Sequence, residues 1–93
     1  MTSKKQFIFD PAKNEKLKKE RGISFQEIID SILGGNMIQV LEHHNPKKYP
    51  NQCIYVIQIE DYIYMVPVEQ KEDKIYLKTI YPSRKATKFY LNK

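Results

Sequence analysis

The order of patterns along the chain predicts an α+β domain: two N-terminal helices, a three- to four-stranded antiparallel sheet and one C-terminal helix. Three observations carry that expectation. Helix-start signals and helical apolar spacing are concentrated before Gly34-Gly35. The stretch from Met37 to Tyr81 is a series of β-branched and aromatic runs broken by polar turns. Ser83 then opens a short basic segment with helix-forming residues.

The elements follow in order. Gln6-Phe7-Ile8-Phe9 is a short apolar run, read as an edge strand or a hydrophobic staple. Asp10-Pro11 starts a helix, because aspartate caps free backbone N–H groups and proline suits the first helical position. Ala12 to Arg21 is largely polar with Leu17 as its anchor, and Gly22 stops it. Ser24-Phe25-Gln26-Glu27 matches a capping box. Phe25, Ile28, Ile29, Ile32 and Leu33 follow at helical spacing, so the second helix should pack on the sheet. Met37 to Glu42 reads as a strand, and His43 to Asn51, with two prolines, as a loop. Cys53 to Ile59 and Tyr62 to Val68 form a hairpin around Glu60-Asp61. The second of these runs is apolar on both faces and therefore central, with Pro67 expected at its end or at a bulge. Lys74 to Tyr81 is the last strand, and Pro82-Ser83 switches the chain into the closing helix.

Size and composition bound the function. Ninety-three residues make one domain, with 41% hydrophobic and 29% charged residues. A net charge of +5 favours acidic partners such as nucleic acid or an acidic protein. The single cysteine, Cys53, cannot form an internal disulfide and reads as a small apolar strand residue. No apolar run approaches the roughly 20 residues of a membrane span, and the N-terminus lacks a signal peptide's apolar core, so a cytoplasmic protein is expected.

Most catalytic patterns are missing from the sequence. His43 and His44 are adjacent and would point to opposite sides of an extended segment, and no Cys-x-x-Cys or His-x-x-His pair supports zinc. Neither a phosphate-binding glycine loop nor a Gly-x-Ser-x-Gly elbow occurs. What remains is cations beside aromatic rings. Lys74, Lys78, Arg84, Lys85, Lys88 and Lys93 lie near Tyr76, Tyr81, Phe89 and Tyr90, and no acid follows Asp73. Cations on phosphates and rings under bases are how single-stranded nucleic acid is held. A strand end, a helix N-terminus and clustered cations suit an anion. The competing reading is a solvated basic helix over a tyrosine-rich core.

Four motifs in order carry a resemblance: Phe7-Ile8-Phe9-Asp10-Pro11-Ala12-Lys13, Gly22, Ser24-Phe25-Gln26-Glu27, and Ser83-Arg84-Lys85 with Tyr90. Together they resemble the BrnT-type toxins of bacterial type II toxin–antitoxin pairs, over nearly the full chain. The resemblance implies a RelE-like fold, a twisted antiparallel sheet with a concave face used for RNA. It implies a metal-independent endoribonuclease that inhibits translation, with no cofactor. It also implies a cognate antitoxin, a small ribbon-helix-helix DNA-binding protein, and RNA, free or ribosome-bound, as partners. In such an enzyme the RNA 2′-hydroxyl is the nucleophile, and the protein supplies a base, an acid and a cation.

Carried to this sequence, Arg84 is the candidate for transition-state charge, Lys85 and Lys88 for RNA positioning, and Tyr90 for stacking. Arg21 stands where such toxins often carry a histidine, and is a further RNA-binding candidate. Lys78 and Tyr81 are candidates from the residues themselves, as substitute cation or proton donor, and His44 (or His43) is the candidate base. Such toxins usually place an arginine where this chain has Ile80-Tyr81, and often an acid where it has Ala86. Those departures motivate the alternative of a non-enzymatic RNA- or protein-binding module that kept the fold.

Overall fold

The computed structural model describes residues 6–92. Its elements are β1 (Gln6–Ile8), α1 (Pro11–Arg21), α2 (Phe25–Leu33), β2 (Met37–Glu42), β3 (Gln52–Ile59), β4 (Tyr62–Lys71), β5 (Lys74–Leu77), β6 (Tyr81–Pro82) and α3 (Arg84–Leu91). The expected α+β order is therefore the observed one.

The sheet differs from expectation in two ways. Among the described residues it has six strands, not three or four, and it is mixed, because β1 runs parallel to β5 while the other pairs are antiparallel. Its order is β1-β5-β4-β3-β2, with β6 pairing β4. The extra strands come from the short Gln6–Ile8 run and from division of the expected last strand into β5 and β6.

Pro67 gives a physical reason for that division. It lies within β4, opposite Ile54, rather than at an end or bulge. Its carbonyl accepts from the Lys78 N–H at 2.9 Å. A strand residue's two backbone polar groups point to the same side, so the donor that proline lacks is missing on the side of the last strand. There β5 pairs Val68–Lys71, β6 pairs Tyr64 and Met65, and the ladder lapses between them.

β1 and β2 occupy opposite edges, so the chain between them must cross the sheet, and α1 and α2 make that crossing. They bury one face. Leu17 of α1 and Phe25, Ile28 and Ile29 of α2 share a core with Tyr55, Ile57, Val66, Val68, Ile75, Leu77 and Ile80. The cross-strand pairs Tyr55↔Val66 and Val68↔Leu77 put those strand residues on one face, as period-two alternation requires. Leu33, expected in the same stripe, is instead 74% exposed at the end of α2.

The caps form as the sequence implies. Asp10 accepts from the Ala12 N–H, and Ser24 and Glu27 complete the reciprocal capping box. Asn14 adds a cap the sequence did not announce, its Oδ1 accepting from the Phe25 N–H at 2.7 Å. Two two-residue turns, Glu60-Asp61 and Glu72-Asp73, close the hairpins, with Glu60 and Glu72 at positive φ. Among the described residues no helix is long and apolar enough to cross a membrane.

Candidate nucleic-acid interface

α3 packs against β4 on the sheet face away from α1 and α2, where Leu41 and Met65 meet it. Val56 and Ile63, both fully buried, alternate onto that same face. The first turn of α3 is pinned. Ser83 donates its N–H to the Ile63 carbonyl at 2.9 Å, and its hydroxyl accepts from the Ala86 N–H at 3.0 Å. The buried Thr87 hydroxyl accepts from the Ile63 N–H at 2.9 Å and donates to the Ser83 carbonyl at 2.7 Å. Thr87→Val keeps the shape but strands the Ile63 N–H beneath the helix. A loss of about 1–3 kcal/mol is expected, read as a lower urea midpoint at unchanged slope.

The pinned helix sets out its cations by geometry. At about 100° per residue, Arg84, Lys88 and Lys85 fall within one arc of roughly 100°. All three are exposed, on the side away from the half-buried Ser83, Ala86 and Tyr90. None of the three forms a salt bridge with a described Asp or Glu. On the flank of the helix, Lys85, Phe89 and Tyr90 line an open hollow of about 310 Å³ with Leu41, Met65 and Ala86. The Phe89 and Tyr90 rings meet edge to face at 4.9 Å. Tyr81, 36% exposed, sits directly across from Met65. Arg84, Lys85, Lys88, Tyr81 and Tyr90 are thus gathered at one end of β4.

Three other candidates lie differently. Lys78 forms an ion pair with Glu69 at 3.2 Å, which partly neutralises it. Such a half-exposed pair contributes about 1 kcal/mol or less to stability, so the ammonium can exchange partners at little cost. Arg21 reaches across from α1, its guanidinium donating to the Ile80 carbonyl, so this cation is fixed beside the segment that leads into β6. His44 sits at the far end. Glu42 at the end of β2 pairs with Cys53, and Cys53 with Val68. That register places the loop roughly 10 Å along the sheet from Met65, at about 3.3 Å per residue. The rings of His43 and His44 stack at 4.3 Å instead of diverging, because the backbone turns here and Asn45 donates its N–H to His43 Nδ1.

Sequence reasoning missed Lys13, Lys16 and Thr79, which line a small hollow with Arg21. The i, i+3 spacing of Lys13 and Lys16 was a legible signal, but the approach of Thr79 was not. Burial raises the pKa of the Cys53 thiol above its ordinary value, and does the same for the Tyr55 and Tyr64 hydroxyls. These three side with the α1–α2 core, away from the basic helix, and are poor nucleophiles or proton donors there. Among the described residues no group of three or more His, Cys, Asp or Glu side chains is placed to hold a metal ion.

The arrangement can grip a polyanion and offer phenol hydroxyls beside it. No family model matches the chain, and comparisons with characterised proteins and with solved structures give no match either.

Proposed function

We propose that this chain is the toxin of a BrnT-type toxin–antitoxin pair, a cytoplasmic, metal-independent endoribonuclease that inhibits translation and is held inactive by a cognate antitoxin. The supporting observation is the set of exposed cations Arg84, Lys85 and Lys88, without a salt bridge among the described residues, on the solvent arc of a pinned helix, with Tyr81 and Tyr90 beside them. The four ordered sequence motifs support the same reading.

In this reading the RNA backbone crosses α3, and Lys85 and Lys88 hold flanking phosphates. The 2′-hydroxyl loses its proton to solvent water, its oxygen attacks the adjacent phosphorus, the bond to the 5′-oxygen breaks, and a 2′,3′-cyclic phosphate is left. Arg84 balances the added charge on the phosphorane-like transition state. Tyr81 gives a proton to the departing 5′-oxygen. Tyr90 stacks a base.

A second reading has its own observation. Both histidines of the chain lie in the β2–β3 loop, away from α3, so neither is placed to take a proton beside Arg84. A binding module that grips RNA without cutting it fits that gap. Incubating the purified protein with total RNA and EDTA separates the two. Discrete fragments ending in 2′,3′-cyclic phosphate are expected. Intact RNA with salt-sensitive binding selects the binding module, and neither cleavage nor binding rejects both.

A further inference from the structure

We infer that the free edge of β2 is a docking site for an extended, acidic segment of a partner protein, which adds to the sheet as a further strand. β2 pairs with β3 on one side and, among the described residues, ends the sheet on the other. Its outer edge carries a specific sign of vacancy. The Val40 N–H donates to the side-chain oxygen of Gln39 at 3.1 Å, so a neighbouring amide stands in for the carbonyl a further strand would bring. Edge strands are commonly protected by lysine, proline or short length, and this six-residue strand carries neither residue.

Apolar surface flanks the edge on both sheet faces. Val40, opposite Tyr55, is 45% exposed on the α1–α2 side, where Leu33 at the end of α2 is also uncovered. On the other face, Leu41 leads into the hollow rimmed by Phe89, which is 78% exposed. An added strand presents side chains alternately to the two faces, and so would cover both patches. A docked helix would reach one of them.

Charge decides between a partner and a second copy. Lys85 lines the hollow and Lys88 and Arg84 continue the cationic arc, so the occupant's apolar anchor should be flanked by carboxylates. The β2 of a second copy offers Glu42 as its sole charged group, and would bring together two chains of net charge +5. The segment is therefore an acidic one from another protein. This inference does not require the chain to cut RNA.

The test uses three acetylated ten-residue peptides: a Leu-Val-Leu centre flanked by glutamates, the same centre flanked by lysines, and the glutamate peptide N-methylated at alternate residues. The glutamate peptide should bind by fluorescence anisotropy, weaken as salt rises, and slow hydrogen exchange at the Val40 amide. The other two should bind at least tenfold more weakly. Val40→Pro removes a donor from the free edge, where proline is tolerated, and should weaken the glutamate peptide at least tenfold. Gln39→Ala removes the competing amide and should tighten it. RNA cleavage by Val40→Pro should match the parent, so this inference and the nuclease reading fail separately. Equal binding of glutamate and lysine peptides, binding insensitive to Val40→Pro, no binding at millimolar peptide, or a peptide-free dimer dissolved by Val40→Pro would each overturn the inference.

Discussion

Arg84→Ala should lower the single-turnover rate of RNA cleavage by about 10²–10³-fold, the usual cost of removing one group that stabilises developing negative charge. Growth arrest on expression of the chain alone should be relieved in parallel. The fold should not change. Arg84 is exposed, belongs to neither core nor ion pair among the described residues, and alanine is at least as good a helix former. The variant should unfold within about 0.5 kcal/mol of the parent. Arg84→Lys should recover part of the rate, since an ammonium keeps the charge but loses the planar fork. A second measurement distinguishes chemistry from grip. If Arg84 contacts one phosphate in the ground state, the slope of log affinity against log salt falls by about 0.7 in the alanine variant. A rate within twofold of the parent, with an unchanged salt slope, removes Arg84 from the site altogether.

The features legible in the sequence are those set by neighbours a few residues away. Asp10-Pro11, the Ser24–Glu27 box and Ser83 each mark a helix start because a cap is completed within three residues. Arg84, Lys85 and Lys88 share one arc of α3 for a similarly local reason, their spacing of one and four residues. Strand number was not legible. A three-residue strand and a two-residue strand take their identity from partners 68 and 16 to 18 positions away, and apolar periodicity carries no strand direction. Pro67 was read as a constraint on its own strand, whereas its missing donor acts on the neighbouring one. The candidate site divides likewise. Lys78 meets Glu69 across a hairpin, Arg21 meets Ile80 between elements 59 positions apart, and His44 is carried off by strand register. None of these is a local fact.

Phe25→Ala should be the most destabilising single change among the residues discussed. Phe25 is fully buried at the first position of α2, stacks on Phe9 with ring centroids 5.1 Å apart, and belongs to the core beneath the sheet. Truncating a buried phenylalanine costs about 3–5 kcal/mol, against a total of about 5–15 kcal/mol for a domain of ordinary stability. At about 4–8 °C per kcal/mol for a chain of about this size, Tm should fall by roughly 12–40 °C. Phe89→Ala is the control. Its ring is mostly in solvent, and the change should stay within about 0.5 kcal/mol. Phe9→Ala combined with Phe25→Ala should cost less than the two separately, by the 0.5–1.5 kcal/mol typical of an aromatic pair. The functional consequence has a distinct signature. Phe25→Ala should relieve growth arrest by depleting folded protein, with RNA cleavage per folded molecule preserved at low temperature, whereas Arg84→Ala should relieve it at full abundance. Equal specific activities of the two variants at matched folded concentration would place the cationic arc outside the chemistry.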